Sequence, residues 1–401
     1  MSIQEESPLV LKDHRFARLE AIKWWDQSLV RQARIMVVGA GALGNEIVKN
    51  LALLGVGHIV VVDMDRIESS NLCRSVLFRE GDEGQFKAAV AARSAKEIYP
   101  DADVEAIMGN VMADVGLGYF RRSDAVLGAV DNREARVFVN AACARVGRPW
   151  IDGGIEVLQG IVRGFAPPST ACYECTMSEA DWDLLNQRRS CSLLAQRAIA
   201  QQGTPTTPIA ASVIGAIQVA EAIKLLHGME ALMGRGFVFE GENHTSYPVT
   251  YSVNPECRWH ESPYPIEVMS DVTSDTPLRT IWNRASELLG GVDALEPARE
   301  IVESTTCPKC GQSQRVLKPA EKVHRAQIVC PRCDVECAPT YFHSITGDSY
   351  LLDLSPRQAG LPEWDILWAR CGEKCIGVEV AGDQSRRTAP ELNPEQARTN
   401  A

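Results

Sequence analysis

The sequence predicts an α/β fold in which a doubly wound, mainly parallel sheet is followed by a smaller cysteine-bearing module. Three observations carry this. Short apolar strands alternate with helical segments through the first half of the chain. The first strand runs into a glycine turn, Gly39-Ala40-Gly41-Ala42-Leu43-Gly44. Paired cysteines then recur toward the carboxyl end. With 401 residues, 45% of them hydrophobic and 23% charged, the chain can bury a large core in two or three domains.

The elements follow in order. Residues 1–33 read as a helical lead-in, with Arg15, Phe16 and Arg18 before two tryptophans, Trp24 and Trp25, packed by a helix. Ile35-Met36-Val37-Val38 is a buried strand, residues 45–54 a helix with Ile47, Val48, Leu51 and Leu54 inward, and residues 58–62 the next strand. Further strand and helix units fall at 86–99, 104–108, 125–130 and 133–146. In such a sheet ligands sit beyond the carboxyl ends of the strands, so the glycine turn, Asp63 and Asp131 lie along one rim. Residues 150–170 and 235–253 read as more strands, separated by a polar connection (176–207) and an apolar helix (209–226). A run of Pro, Ser and Asp at 262–276 marks a boundary. The main domain is therefore 34–262 and the carboxyl-terminal module 270–380, with a polar tail, 382–401, expected to be disordered.

Composition narrows the partners. A net charge of −11 argues against nucleic acid, because phosphate binding needs a basic field. The start is polar and acidic, and no apolar stretch is expected to reach membrane-spanning length, so a cytoplasmic protein away from membranes is expected. The 13 cysteines, several in C-x-x-C pairs, favour zinc over disulfides in a reducing compartment.

The glycine turn lets backbone N–H groups and a helix N-terminus approach phosphate oxygens. Asp63, at the end of the second strand, can bind ribose hydroxyls. Dinucleotide-binding enzymes share both features, and the residues beyond them decide. After Asp63-Met64-Asp65 the chain reads Glu68-Ser69-Ser70-Asn71-Leu72-Cys73-Arg74, then Gly84-Gln85-Phe86-Lys87-Ala88, then Ala129-Val130-Asp131-Asn132-Arg133-Glu134-Ala135-Arg136. No Gly-x-x-x-x-Gly-Lys-Ser/Thr loop is present. Over residues 14–260 this order resembles the Rossmann-like adenylation domain shared by ubiquitin-activating enzymes, ThiF and MoeB. The resemblance implies that Gly39, Gly41 and Gly44 with Asp63 and Asp65 hold the nucleotide. By the same resemblance Asn71, Arg74 and Lys87 contact the triphosphate, and Asp131 holds Mg²⁺. Arg18 would reach a nucleotide across a homodimer interface. A carboxylate attacking the α-phosphate of ATP needs such cations and Mg²⁺ to stabilise developing charge, whereas a hydride-transfer site does not.

Cys172-Tyr173-Glu174-Cys175 supplies two ligands of a four-ligand zinc site. The resemblance places the second pair after the last strands, where Cys257 and His260 stand, and so implies a structural Cys₃His site. Cys191 follows Arg188-Arg189-Ser190, whose arginines favour the thiolate. Its distance behind the Cys172 run resembles that of the thioester-forming cysteine in ubiquitin-activating enzymes, which makes it the expected nucleophile. Cys143 reads as a buried helix residue and Cys73 as a neighbour of the phosphates. Cys307-Pro308-Lys309-Cys310 and Cys330-Pro331-Arg332-Cys333, with nineteen residues between the pairs, have the spacing of a zinc ribbon and a second structural zinc.

The resemblance is closest to a bacterial ubiquitin-activating enzyme of an antiphage conjugation operon. It implies ATP-dependent adenylation of the terminal glycine of a ubiquitin-like protein, a thioester on Cys191 and transfer to a conjugating enzyme. No match to the family's recruiting domain is found at the carboxyl end, where the ribbon with residues 353–380 is expected either to recruit the conjugating enzyme or the modifier itself, or to serve as a dimer-stabilising or separate binding module. The alternative is a MoeB- or ThiF-like sulfur-carrier adenylyltransferase of molybdopterin or thiamine biosynthesis.

Overall fold

The computed structural model describes residues 14–190 and 205–382. The expected nucleophile Cys191 and all of the polar tail beyond Gly382 lie outside these residues. Strands β1 (Arg34–Val38), β2 (His58–Val62), β3 (Asp103–Ile107), β4 (Ala125–Gly128), β5 (Trp150–Glu156), β6 (Gln159–Phe165), β7 (Arg235–Glu240) and β8 (Thr245–Thr250) form one sheet. Its order is β3-β2-β1-β4-β5-β6-β7-β8. From β2 through β1 and β4 to β5 the pairing is parallel, with Val38 opposite both Val62 and Gly128; from β5 to β8 it is antiparallel. The strand order reverses direction between β1 and β4. That gap is the switch point where an open α/β sheet leaves a crevice for ligands.

The parallel strands are continuous apolar runs because helices cover them on both faces. Ile35, Met36 and Val37 are wholly buried, as are Ile47, Val48 and Leu51 of the helix Ala42–Leu54 that follows β1. That helix ends on Gly55 in the left-handed region (φ 79°), where a side chain would run into Phe16. The lead-in is not one helix but two short ones, Ala17–Glu20 and Gln27–Gln32, the second capped by Asp26. Trp24 and Trp25 fall in the turn between them, where Trp24 is 48% exposed, rather than on a packed helical face.

The helix Pro208–Leu226 corrects a sequence expectation: by length and apolar composition it could cross a membrane. In the fold it is a core helix. It packs on the helix Ala42–Leu54 and on β5 and β6, with Gly215 set against Glu46. The buried Gln218 amide nitrogen donates to Gly128 O and Ile151 O, each at 2.9 Å, and so bridges β4 and β5.

The chain divides into two compact units. Among the described residues the first comprises 14–104, 121–177 and 205–261, and the second 105–120, 178–190 and 262–382. In the second unit, β9 (Ile266–Thr273), β10 (Ala294–Glu296), β14 (Ile366–Cys371) and β15 (Lys374–Ala381) form a sheet in the order β10-β14-β15-β9. The helix Leu278–Leu289 covers it through Leu278, Ile281 and Ala285. The cysteine-bearing ribbon, β11 (Ile301–Thr306), β12 (Ser313–Pro319) and β13 (Ala338–Phe342), is inserted in sequence between β10 and β14. Segment 105–120 belongs to the same unit through buried contacts. Arg299 donates to Met112 O, Val115 O and Asp365 Oδ1 at 2.8, 2.9 and 3.2 Å, and Leu117 N–H donates to Asp365 Oδ1 at 3.1 Å.

Candidate active site and metal centres

The glycine turn opens at the end of β1. Gly39 has φ 99°, and a Cβ there would stand 2.4 Å from Ala129 O, so only glycine lets β1 pass so close to the end of β4. A Cβ on Gly44 would stand 2.0 Å from Gly39 O. Gly41 differs, since a Cβ there would meet nothing within 4 Å. The space beside Gly41, at the N-terminus of the helix Ala42–Leu54, is thus open to a ligand, and the unpaired N–H groups of the first turn favour an anion there.

Short bonds gather the acidic and basic residues onto this turn. Asp63 accepts from Ala40 N–H at 2.7 Å through one oxygen and from Asp65 N–H at 2.8 Å through the other. Asp65 in turn pairs with the largely buried Lys87 at 2.8 Å. Burial raises the Asp63 carboxyl above its usual range, against the lowering effect of those two N–H groups and the Lys87 charge. Asn71 is buried and caps its own turn by accepting from Glu68 N–H, while Arg74 donates back to Ser70 O at 2.6 Å. Asp131 is exposed just beyond β4, beside Asn132, which caps the helix Arg133–Val146 by accepting from Ala135 N–H. Arg18 stands apart from this group. Its neighbour Phe16 packs at Gly55, at the far end of a 13-residue helix and so about 20 Å along its axis from the glycine turn.

Two features were missed in the sequence. Asn45 is wholly buried; its amide donates to Ala40 O and Gly41 O at 2.8 and 3.0 Å, and its oxygen accepts from Leu77 N–H at 2.9 Å. It thereby ties the glycine turn to the loop carrying Asn71 and Arg74. The available signal was a polar residue one helical turn after Gly41 on an otherwise apolar inward face. Asp152 is also wholly buried and lies between Arg136 and Arg163; nothing local in the sequence pairs residues from a helix and two strands.

The first cysteine group assembles in space. The ligand atoms of Cys172, Cys175, Cys257 and His260 all lie within 4.8 Å of one another. Cys172 Sγ is 3.8 Å from Cys175 Sγ and 3.6 Å from Cys257 Sγ, and Cys175 Sγ is 3.0 Å from His260 Nε2. A tetrahedral ion with thiolates at about 2.3 Å separates its sulfurs by roughly 3.8 Å, so the set fits zinc. Burial pushes the Cys172 and Cys257 thiols up. Against burial, the Asn254 and Cys172 N–H groups and His260 hold Cys175 below the ordinary thiol range. Trp259 packs on Ala141 and Ala144 and donates to Glu174 Oε1 at 2.6 Å, so the cluster joins the helix Arg133–Val146 to the end of the sheet. The second group, Cys307, Cys310, Cys330 and Cys333, also lies within 4.8 Å, on two turns closed by Gly311 N–H to Cys307 O and Asp334 N–H to Cys330 O. The backbone N–H groups of Cys310 and Lys309 outweigh burial and bring Cys307 to about 7. Cys337, unassigned from sequence, is buried beside this group. Among the other thiols, Cys143 is buried and pushed well above its usual value by burial, and Cys73 is exposed.

Residues 14–258 match the ThiF family. The chain is 33% identical over 232 residues to the SAMP-activating enzyme E1 of Haloferax volcanii, covering 58% of this chain and 81% of that one. It is 31% identical over 250 residues to the sulfur carrier protein adenylyltransferase of Thermus thermophilus, covering 61% and 88%. A crystal structure of E. coli MccB with ATP superimposes at a TM-score of 0.51 and 22% identity, covering 62% of this chain and 74% of that one, a likeness of fold. On the match across more than half its length, this chain belongs to the ThiF family.

Proposed function

We propose that this chain adenylates the carboxyl terminus of a ubiquitin-like protein, carries it as a thioester on Cys191 and passes it to a conjugating enzyme. The observation that carries the reading is the bonded series Ala40–Asp63–Asp65–Lys87 beside the open space at Gly41. It supports a triphosphate over a nicotinamide dinucleotide because it adds a fixed cation, which phosphoryl chemistry needs and hydride transfer does not. In the first step a carboxylate oxygen bonds to the α-phosphorus and pyrophosphate leaves. In the second the Cys191 thiolate bonds to the acyl carbon and AMP leaves. Asp131 would hold Mg²⁺, which supplies charge neutralisation at the phosphates. As a homodimer the protein would lend Arg18 to the partner's nucleotide, in keeping with its place away from the chain's own glycine turn.

A second reading, a sulfur-carrier adenylyltransferase without a thioester on Cys191, is favoured by the extent of the match to the Thermus protein. ATP–pyrophosphate exchange tests adenylation. Non-reducing electrophoresis with candidate modifiers separates the two readings: a thiol-sensitive adduct lost in Cys191→Ala supports the first, and its absence in the wild type supports the second. In an antiphage setting, Lys87→Ala in the host would raise plaque counts relative to the wild-type chain.

A further inference from the structure

Asp152, Arg136 and Arg163 form a cluster that adenylation chemistry as set out above leaves unused. Asp152 is wholly buried and accepts from Arg136 Nε at 3.0 Å through one oxygen and from Arg163 Nε at 3.1 Å through the other, with Arg163 Nη2 also on the second. Arg136 Nη2 donates to Val130 O at 2.7 Å and Gly153 O at 3.2 Å, and Val130 adjoins Asp131. The Arg163 guanidinium lies 4.9 Å from the Tyr173 ring, itself held between the metal-site residues Cys172 and Cys175. Two guanidinium groups therefore share one carboxylate, an excess of positive charge in a poorly solvated place.

The geometry leaves defined donors for an anion. Among the described residues, Nη1 of Arg136 and Nη1 of Arg163 donate to no protein atom. Both side chains keep an outer edge in solvent, 14% and 17% exposed. Gly154 leaves Arg136 uncovered, since a Cβ there would already touch Nη2 at 3.7 Å. We propose that Arg136 and Arg163, held in place by Asp152, bind the carboxylate end of the protein substrate beside Asp131. Planar guanidinium groups fixed by a buried carboxylate suit such a group, because little freedom is lost when it binds. This rests on the adenylation reading and deepens it by naming residues that hold the acyl substrate rather than ATP.

The test uses the full chain with the non-hydrolysable analogue AMP-CPP bound, and two synthetic peptides ending in Gly-Gly, one with a free carboxylate and one amidated. The wild type is expected to bind the acid roughly tenfold more tightly than the amide. Arg163→Gln brings the ratio near one, Arg163→Lys restores part of it, and AMP-CPP affinity without peptide changes less than about twofold. An acid-to-amide ratio of one in the wild type, which needs no variant to fold, overturns the proposal. So does a preference that survives Arg163→Gln, or an equal loss of AMP-CPP affinity that would assign the arginines to phosphate. Failure of AMP-CPP to bind the wild type would instead overturn the adenylation reading.

Discussion

At the residue scale, the three glycines of one turn have separate duties, and substitution can tell them apart. Gly44→Ala forces a Cβ against Gly39 O and is expected to cost about 1–3 kcal/mol of stability by overpacking, read by urea unfolding. Gly41→Ala meets open space at an ordinary φ of −72°, so its melting temperature should stay near wild type while ATP affinity falls roughly tenfold or more. Asn45→Ala strips partners from buried backbone groups and should cost about 1–3 kcal/mol, with the Asn71–Arg74 loop exchanging its amides faster. Asp63 carries a pH dependence. Its folded-state pKa is raised, so its contribution to stability is complete in acid and is lost as pH rises through that raised value. Nucleotide binding runs the other way, because ribose hydroxyls donate to the charged form. AMP-CPP affinity is expected to fall as the pH is lowered through that raised pKa, at a higher pH than a free carboxyl would give.

At the element scale, the cysteine groups act as clasps between segments distant in sequence. The first joins the loop after β6 to the segment after β8, more than eighty residues apart, and seats Trp259 on the helix Arg133–Val146. The second closes the two turns of the ribbon, whose own apolar centre is small: Val302, Val316, Val323 and Ile328. With so little buried surface, a metal held by these four cysteines would be a main source of the ribbon's stability. Cys310→Ser is expected to lower bound zinc from about two to about one per chain by elemental analysis and to open the ribbon to protease, while the first site keeps its ion.

At the scale of the whole molecule, the second unit is not a simple carboxyl-terminal appendage. Residues 105–120 lie within it, with Leu117 and Phe120 wholly buried and Arg299 and Asp365 serving their backbone. Deleting residues 262–401 therefore removes the partners of a segment that remains. Each exposed Leu or Phe side chain costs about 1.5–3 kcal/mol of burial. The truncated chain is expected to aggregate or bind a hydrophobic dye. Point changes on the ribbon surface are the cleaner way to test recruitment of a conjugating enzyme.

Much of this molecule was determined by residues close together in sequence. The alternation of β1, the helix Ala42–Leu54 and β2 follows from apolar spacing, the glycine turn from the need for close backbone approach, and both C-x-x-C pairs of the ribbon from ligand spacing. Such signals are local because strand and helix periods, turn conformations and metal-ligand spacing all act over a few residues. Tertiary structure alone decided that Asn45 would bridge the glycine turn to Leu77, that Asp152 would be shared by Arg136 and Arg163, and that 105–120 would join residues beyond 262. In each case buried polar groups found partners through packing, and desolvation rather than any period along the chain made those pairings necessary.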